Sequence, residues 1–330
     1  MNFVDVITSG AVESLFIGHK TAAAIKKRFA IIAKEVHPDV NPDPRATDAF
    51  TTLSTYYNKL EHDPNAKAAD SKIVVITNAR GVKSYAFFID KRDGDLGEVF
   101  TTKNYLVTRY VDVKDAAAAA KTVNALKGVL VGGSLAPYLN VVPDVFVAYE
   151  NDTVFSRRSN TASIRAVTEK WGDWDPRHAT WLASCLLDFS CLMDNQKMVH
   201  CALTPDNVFV DTENHSIQVM GGWAFASARG SKISRLPRFV HSATPKDALK
   251  NKKAVGSIDV AASKAIINYV LGKNYNAAPP APKAWVSIGV AADADPVDEY
   301  EKWESVRGAA FGPRKFVKHD HVASDAYQEK

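Results

Sequence analysis

Ile25, Phe29, Ile32 and Val36 recur at spacings of four, three and four, which puts them on one stripe of a helix, with Thr21 suited to cap its start. Pro38 cannot continue a helix and pushes His37 out of the α region, so the helix stops there. A second helix is expected from Asp43 as cap and Pro44 as first residue, with the stripe Phe50, Leu53, Tyr57 and Leu60. Residues 61–71 are polar, aperiodic and contain a proline, and read as a linker. Strands are expected at Ile73–Thr77, Ser84–Asp90, Val99–Thr101 and Tyr105–Val111, then a helix over Asp112–Leu126. Two further strands, Val141–Tyr149 and Thr153–Ser156, turn at Asn151-Asp152. From Asp175 the pattern becomes helical: Asp175 caps, Pro176 opens, and Trp181, Leu182, Cys185, Leu186, Phe189, Leu192 and Met193 make a wide apolar face. The Ala/Pro stretch at 277–282 reads as a loop or hinge. The fold class is α+β: a helical hairpin, then a two-lobed half with a β-rich and a helical part.

Of 330 residues, 46% are apolar and 24% charged, a soluble globular balance, and the length suits two or three domains. The net charge is +4, and His19 to Val36 alone carries five Lys/Arg against Glu35. Lys26, Lys27, Arg28 and Lys34 fall mostly off the apolar stripe and form a basic face. No interleaved aromatic motif accompanies it, so nucleic acid is not expected as a partner. Cys185, Cys191 and Cys201 fit reduced thiols in a cytoplasmic setting. No apolar run approaches the ~20 residues of a membrane span, and no signal peptide is read. A zinc site from Cys191, His200, Cys201 and His215 lacks a paired ligand spacing, and no Ser-His-Asp triad is expected, since no G-x-S-x-G elbow appears although Gly132-Gly133-Ser134 resembles half of one. His319-Asp320-His321 reads as a surface tail.

The tripeptide His37-Pro38-Asp39, between a basic helix carrying Ile25-Lys26-Lys27-Arg28-Phe29 and a turn Asn41-Pro42-Asp43-Pro44, resembles the J-domain of DnaJ-type co-chaperones. The family's first helix is represented only by Val12-Glu13-Ser14-Leu15-Phe16-Ile17-Gly18. The resemblance implies a DnaK-type chaperone as partner, docked by Lys26, Lys27, Arg28 and Lys34. His37, Pro38 and Asp39 would trigger its ATP hydrolysis.

In the second half, His200-Cys201-Ala202-Leu203-Thr204-Pro205-Asp206-Asn207 resembles the protein-kinase catalytic loop His-Arg-Asp-Leu-Lys-Pro-x-Asn. Gly222-Trp223-Ala224 stands where kinases carry Asp-Phe-Gly, Thr244-Pro245-Lys246 where they carry Ala-Pro-Glu, and Ser257-Ile258-Asp259-Val260 resembles the start of their central helix. Upstream, Gly94 and Gly97 match part of the glycine-rich loop, and Arg109 occupies the place of the strand lysine. The helix glutamate that would pair with it has no clear equivalent; Lys121 or Asn124 stands near that place.

By this resemblance Ala202 replaces the hydroxyl-orienting carboxylate, Thr204 a phosphate-facing lysine, and Gly222 (or Gly221) the magnesium ligand. Asn207 is expected to order the loop and His200 to pack in the core. The expectation is a pseudokinase without phosphotransfer, cofactor or metal. The order expected is a J-domain over 1–62, a linker over 63–71, a kinase-like N-lobe over 72–160 and a C-lobe over 161–330. Such J-domain–kinase fusions are associated with bacteria and their phages. The implied function is a co-chaperone whose kinase-like half binds an unidentified protein client, with no membrane partner. Two alternatives stand beside it: an unorthodox kinase or nucleotide sensor, and a module that captures a chaperone without activating it.

Overall fold

The computed structural model describes residues 3–10, 12–16, 22–62, 72–131 and 133–328, so Thr21, Gly18, the linker expected over 63–71, and Gly132 lie outside the described residues. The chain divides into two compact units, one of residues up to 91 with 100–103, the other of 92–99 with 104 onward.

The first unit opens with α1 (Phe3–Thr8) and a 3₁₀ turn (Val12–Phe16), followed by α2 (Ala22–Val36) and α3 (Ala46–His62). The apolar stripes meet as expected: Ile32 and Val36 of α2 and Ala49 and Leu53 of α3 bury against Val4, Ile7, Leu15 and Phe16. Phe29 stacks on Tyr57 with ring centroids 4.1 Å apart. The helix α1 is a finding the pattern did not announce; six residues carry too little periodicity to read. α3 starts two residues after Pro44, with the Asp43 carboxylate accepting the Arg45 N–H at 2.9 Å. The unit also holds β1 (Ile73–Thr77), antiparallel to β2 (Lys83–Gly94), with Ile73 opposite Phe87.

The second unit takes the tip of the hairpin between β2 and β3 (Gly97–Thr102), then β4 (Tyr105–Tyr110) and α4 (Val113–Leu130), capped by Asp112. β5 (Val145–Tyr149) and β6 (Asp152–Ser156) pair antiparallel around Glu150-Asn151, and β6 pairs in turn with β4. β5 is shorter than expected because Pro143 offers no N–H, and a 3₁₀ helix, Gly133–Asn140, precedes it. A short β7 (Ala162–Ser163) leads into α5 (Ile164–Trp171) and α6 (Pro176–Asn195), which starts as expected, its cap Asp175 accepting the Arg177 N–H.

Next come β8 (Met198–Val199), the hairpin β9 (Val208–Asp211) and β10 (Ser216–Val219), and β11 (Ser227–Ala228), which pairs with β8. The helices α7 (Arg238–Ala243), α8 (Lys246–Asn251), α9 (Ser257–Leu271), α10 (Pro280–Ser287) and α11 (Pro296–Phe311) complete the unit. Its core gathers Phe155, Leu186, Phe189, Phe209, Trp223 and Trp303.

Two expectations need correction. The stretch 277–282 is not all loop: Pro280 begins α10, where a missing N–H costs nothing. Nor is the tail at 319–321 wholly on the surface: Asp320 and His321 are exposed, but His319 is half-buried, its ring stacking on His178 at 3.5 Å and meeting Trp174 and Trp181 edge-on. Burial drives the His319 imidazole down to about 3.

Candidate functional site

The His-Pro-Asp loop is exposed and ordered. After α2 the carbonyl of His37 accepts the N–H groups of Val40 and Asn41, and Asn41 Nδ2 returns to the carbonyl of Glu35. His37 Nδ1 accepts the Asp39 N–H at 3.2 Å, and the His37 ring meets Phe50 edge-on at 4.9 Å. That leaves the Asp39 carboxylate pointing outward, with its side chain 84% exposed. Behind it, Arg45 bridges Asp43 and Asp5, and this hydrogen bonding holds Asp43 down to about 2. On α2, Lys26, Lys27 and Lys34 are exposed. Arg28 is half-buried: its Nε donates to the Leu15 carbonyl at 2.8 Å and its guanidinium lies over Phe3. Arg28 therefore fastens α2 to the N-terminal turn.

In the second unit the residues of the His200–Asn207 loop are drawn inward. Asp259, at the start of α9, accepts the N–H groups of His200 and Cys201 at 2.7 and 2.8 Å. Burial nonetheless pushes the Asp259 carboxyl up to about 7 and the His200 imidazole down to about 3. His200 meets the Trp223 ring edge-on at 4.7 Å. Asn207 Nδ2 donates to the Ala202 carbonyl at 2.9 Å, and Asn207 N–H to Thr204 Oγ1 at 3.2 Å.

Gly222 sits at φ 83°, and a Cβ there would meet the Ala202 Cβ at 2.6 Å and Asn207 Nδ2 at 2.9 Å. A Cβ on Gly221 would strike Asn207 Oδ1. At Gly222 a side chain would meet both a positive φ and Ala202, whereas at Gly221 it would meet only the Asn207 side chain. Among the described residues no group of three or more His, Cys, Asp or Glu is placed to hold a metal ion. The three cysteines are free thiols, and burial pushes Cys185 and Cys191 up to about 12, so neither is a nucleophile.

Beside this loop lies a cleft of about 840 Å³, lined also by the Gly94–Gly97 turn and β4. Its chemistry is ionic. Arg92 Nη1 reaches Asp206 Oδ1 at 2.6 Å and Nη2 the Asp206 carbonyl at 2.7 Å, while Arg165 pairs with the other carboxylate oxygen. Thr108 and Tyr110 face the cleft, and Arg109 does not. The expected place of Arg109 is thus corrected: side chains alternate along β4, and Asp152, directly opposite on β6, takes its guanidinium at 2.9 and 3.0 Å. Lys121 is exposed on α4; the buried acid of that helix is Asp115, paired with Arg235. Gly97 serves packing, since a Cβ there would collide with the Arg109 carbonyl.

Sequence reasoning missed Arg92, Arg165, Asp115 and Arg235. Asp206 precedes Asn207 in the motif, but its partners lie 114 and 41 residues away, where spacing is silent.

No family model matches the chain. Three curated proteins, each named Chaperone protein DnaJ 2, from Streptomyces avermitilis, Streptomyces coelicolor and Streptomyces albus G, are 46% identical to it over 43 residues. The chain carries a DnaJ-like segment. The match takes in 13% of this chain and 11% of each relative, so the chain spans about a tenth of the length of the curated relatives it matches. A solved structure of vaccinia related kinase 3 is similar with TM-score 0.49 and 12% identity, over 72% of this chain and 90% of that one. A likeness that loose transfers no residue and no activity. No described helix is long and apolar enough to cross a membrane.

Proposed function

We propose that this chain is a J-domain co-chaperone that recruits a DnaK-type chaperone and stimulates its ATPase, and that its second unit is a kinase-like module without phosphotransfer, binding a client or partner. The observation that carries the reading is the His37-Pro38-Asp39 loop: two packed helices present an exposed carboxylate and imidazole beside a helix bearing Lys26, Lys27 and Lys34. The DnaJ-like segment supports the same reading. Rim charges of this kind raise association rates and fix orientation more than they add affinity.

The inactive half of the proposal rests on chemistry. Phosphoryl transfer needs charge neutralisation and an oriented hydroxyl. Ala202 supplies no carboxylate, neither Gly221 nor Gly222 carries one, and Asn207 is turned onto the Ala202 carbonyl. The deciding experiment is steady-state ATP hydrolysis by a DnaK-type chaperone with and without this chain. Stimulation supports a co-chaperone; binding without stimulation makes the chain a capturing module; neither overturns the proposal.

A second reading, a nucleotide sensor, is favoured by the cleft, whose walls hold Arg92, Arg165 and Arg238. ATP with magnesium would then raise the melting temperature, since a ligand bound only by the native state stabilises it.

A further inference from the structure

A second cavity of about 580 Å³ shares no lining residue with the cleft. The first turns of α6, the end of α11 and the segment after it build its wall. Four cations line it, Arg177, Arg307, Arg314 and Lys315, and no Asp or Glu does. In a protein with 41 basic and 37 acidic residues, a wall this one-sided is not what average composition provides.

Two of the four cations are held in place. Glu304, which does not line the cavity, binds the Arg307 guanidinium at 3.1 to 3.3 Å and Arg314 at 2.8 Å. Arg314 also donates to the Tyr300 hydroxyl, and Arg307 to the Gly312 carbonyl. One carboxylate thus orients two guanidinium groups and neutralises one charge. Arg177 and Lys315 have no ion-pair partner among the described residues. Asp175 and Asp320 stand near His178 and outside the wall. The remaining surface mixes Trp181, Phe311 and Val317 with His178, His215, Thr180 and Ser184, and the indole is fixed by its Nε1 donating to the His215 carbonyl at 3.1 Å.

We infer that this cavity binds a small organic anion, its phosphate or carboxylate head among Arg177, Arg314 and Lys315 and its apolar or aromatic body against Trp181 and Phe311. The volume falls in the range of small-molecule sites, and oriented guanidinium groups match the geometry of both kinds of head. The site is independent of the chaperone loop and of the cleft.

Calorimetric titration of the full chain with phenyl phosphate, benzoate, phenol and inorganic phosphate tests it. At least one aromatic anion should bind about tenfold or more tighter than phenol and than inorganic phosphate, because both head and body are recognised. Arg177→Glu and Lys315→Glu should each weaken that binding about tenfold, the order expected for a lost charged hydrogen bond. Both side chains are exposed, so an unchanged melting temperature verifies the fold of the variants. Phosphate as the preferred head is read from phenyl phosphate outbinding benzoate, and carboxylate from the reverse. The inference is overturned if neither aromatic anion binds, if phenol or inorganic phosphate binds as tightly, or if both variants bind like the wild type.

Discussion

Two loops of this chain each pair a histidine with an aspartate, and they are built in opposite senses: the Asp39 N–H donates to His37, whereas Asp259 accepts from His200. At His37 the polar groups are satisfied locally and the Asp39 carboxylate is left to solvent. At His200 the backbone is tied to buried Asp259, the ring is packed on Trp223, and Asn207 closes on the Ala202 carbonyl. An exposed loop spends little stability and keeps its donors and acceptors for a partner. A buried one ties the same kinds of groups to its own core: Asp259 holds its backbone, and both ring nitrogens of His200 are sealed from solvent. The contrast is why function is proposed for the first loop and architecture for the second.

The largest effect expected from this contrast is at Asp259. Asp259→Ala leaves two buried N–H groups without an acceptor, which should cost about 3 kcal/mol or more, read as a lower denaturation midpoint. Unchanged stability would mean that the His200 loop is not held from beneath. Next comes Gly222→Ala, expected to cost about 2 kcal/mol or more, because a side chain meets both a positive φ and the Ala202 Cβ. Gly222→Asp shares that strain, so it should lower stability and yield no radiolabel transfer from ATP. Transfer by that variant would show a cleft more complete than this account allows.

Acid should loosen the second unit. His200 and His319 fall to about 3 from an ordinary 6.5, and burial lowers His178 and His215 as well. From about pH 6.5 down to about pH 3 the unfolded chain binds protons on these rings that the folded chain refuses, so stability falls as pH falls. Asp259 works the other way: its carboxyl at about 7 keeps a proton that the unfolded chain releases above 3.8, so its contribution is lost as pH rises through 7. Four histidines against one aspartate predict a lower urea midpoint at about pH 5 than at neutral pH. A midpoint that rises on acidification would reverse the assignment.

Much of this was legible in the sequence where a local signal exists. The stripe Ile25 to Val36 and the cap Asp175-Pro176 announce themselves within a few residues, and Pro38 marks where α2 ends. The His200–Asn207 loop could be located by its order of residues, though its burial could not. Arg109 was misplaced because alternation along a strand gives two faces and does not say which one meets the cleft. The Arg92–Asp206–Arg165 bridge joins three segments, and no local pattern carries such a contact. Arg28 looked like its lysine neighbours until its hydrogen bond to Leu15 was seen.

A smaller effect sharpens the first loop. Reversing Lys26 and Lys27 to Glu should weaken chaperone binding while leaving stability within about 0.5 kcal/mol, and salt should weaken the wild-type complex, as expected for charges screened over about 10 Å. Arg28→Glu should differ, lowering stability too, because it removes the tie to Leu15.

The most direct test is single-turnover ATP hydrolysis by a DnaK-type chaperone, with wild-type chain and with His37→Gln at matched concentration. The account predicts stimulation by the wild type and none by His37→Gln, which loses the edge contact to Phe50 and the Nδ1 acceptor of the Asp39 N–H, each worth about 1 kcal/mol, and still unfolds cooperatively. Equal stimulation by both proteins would contradict it.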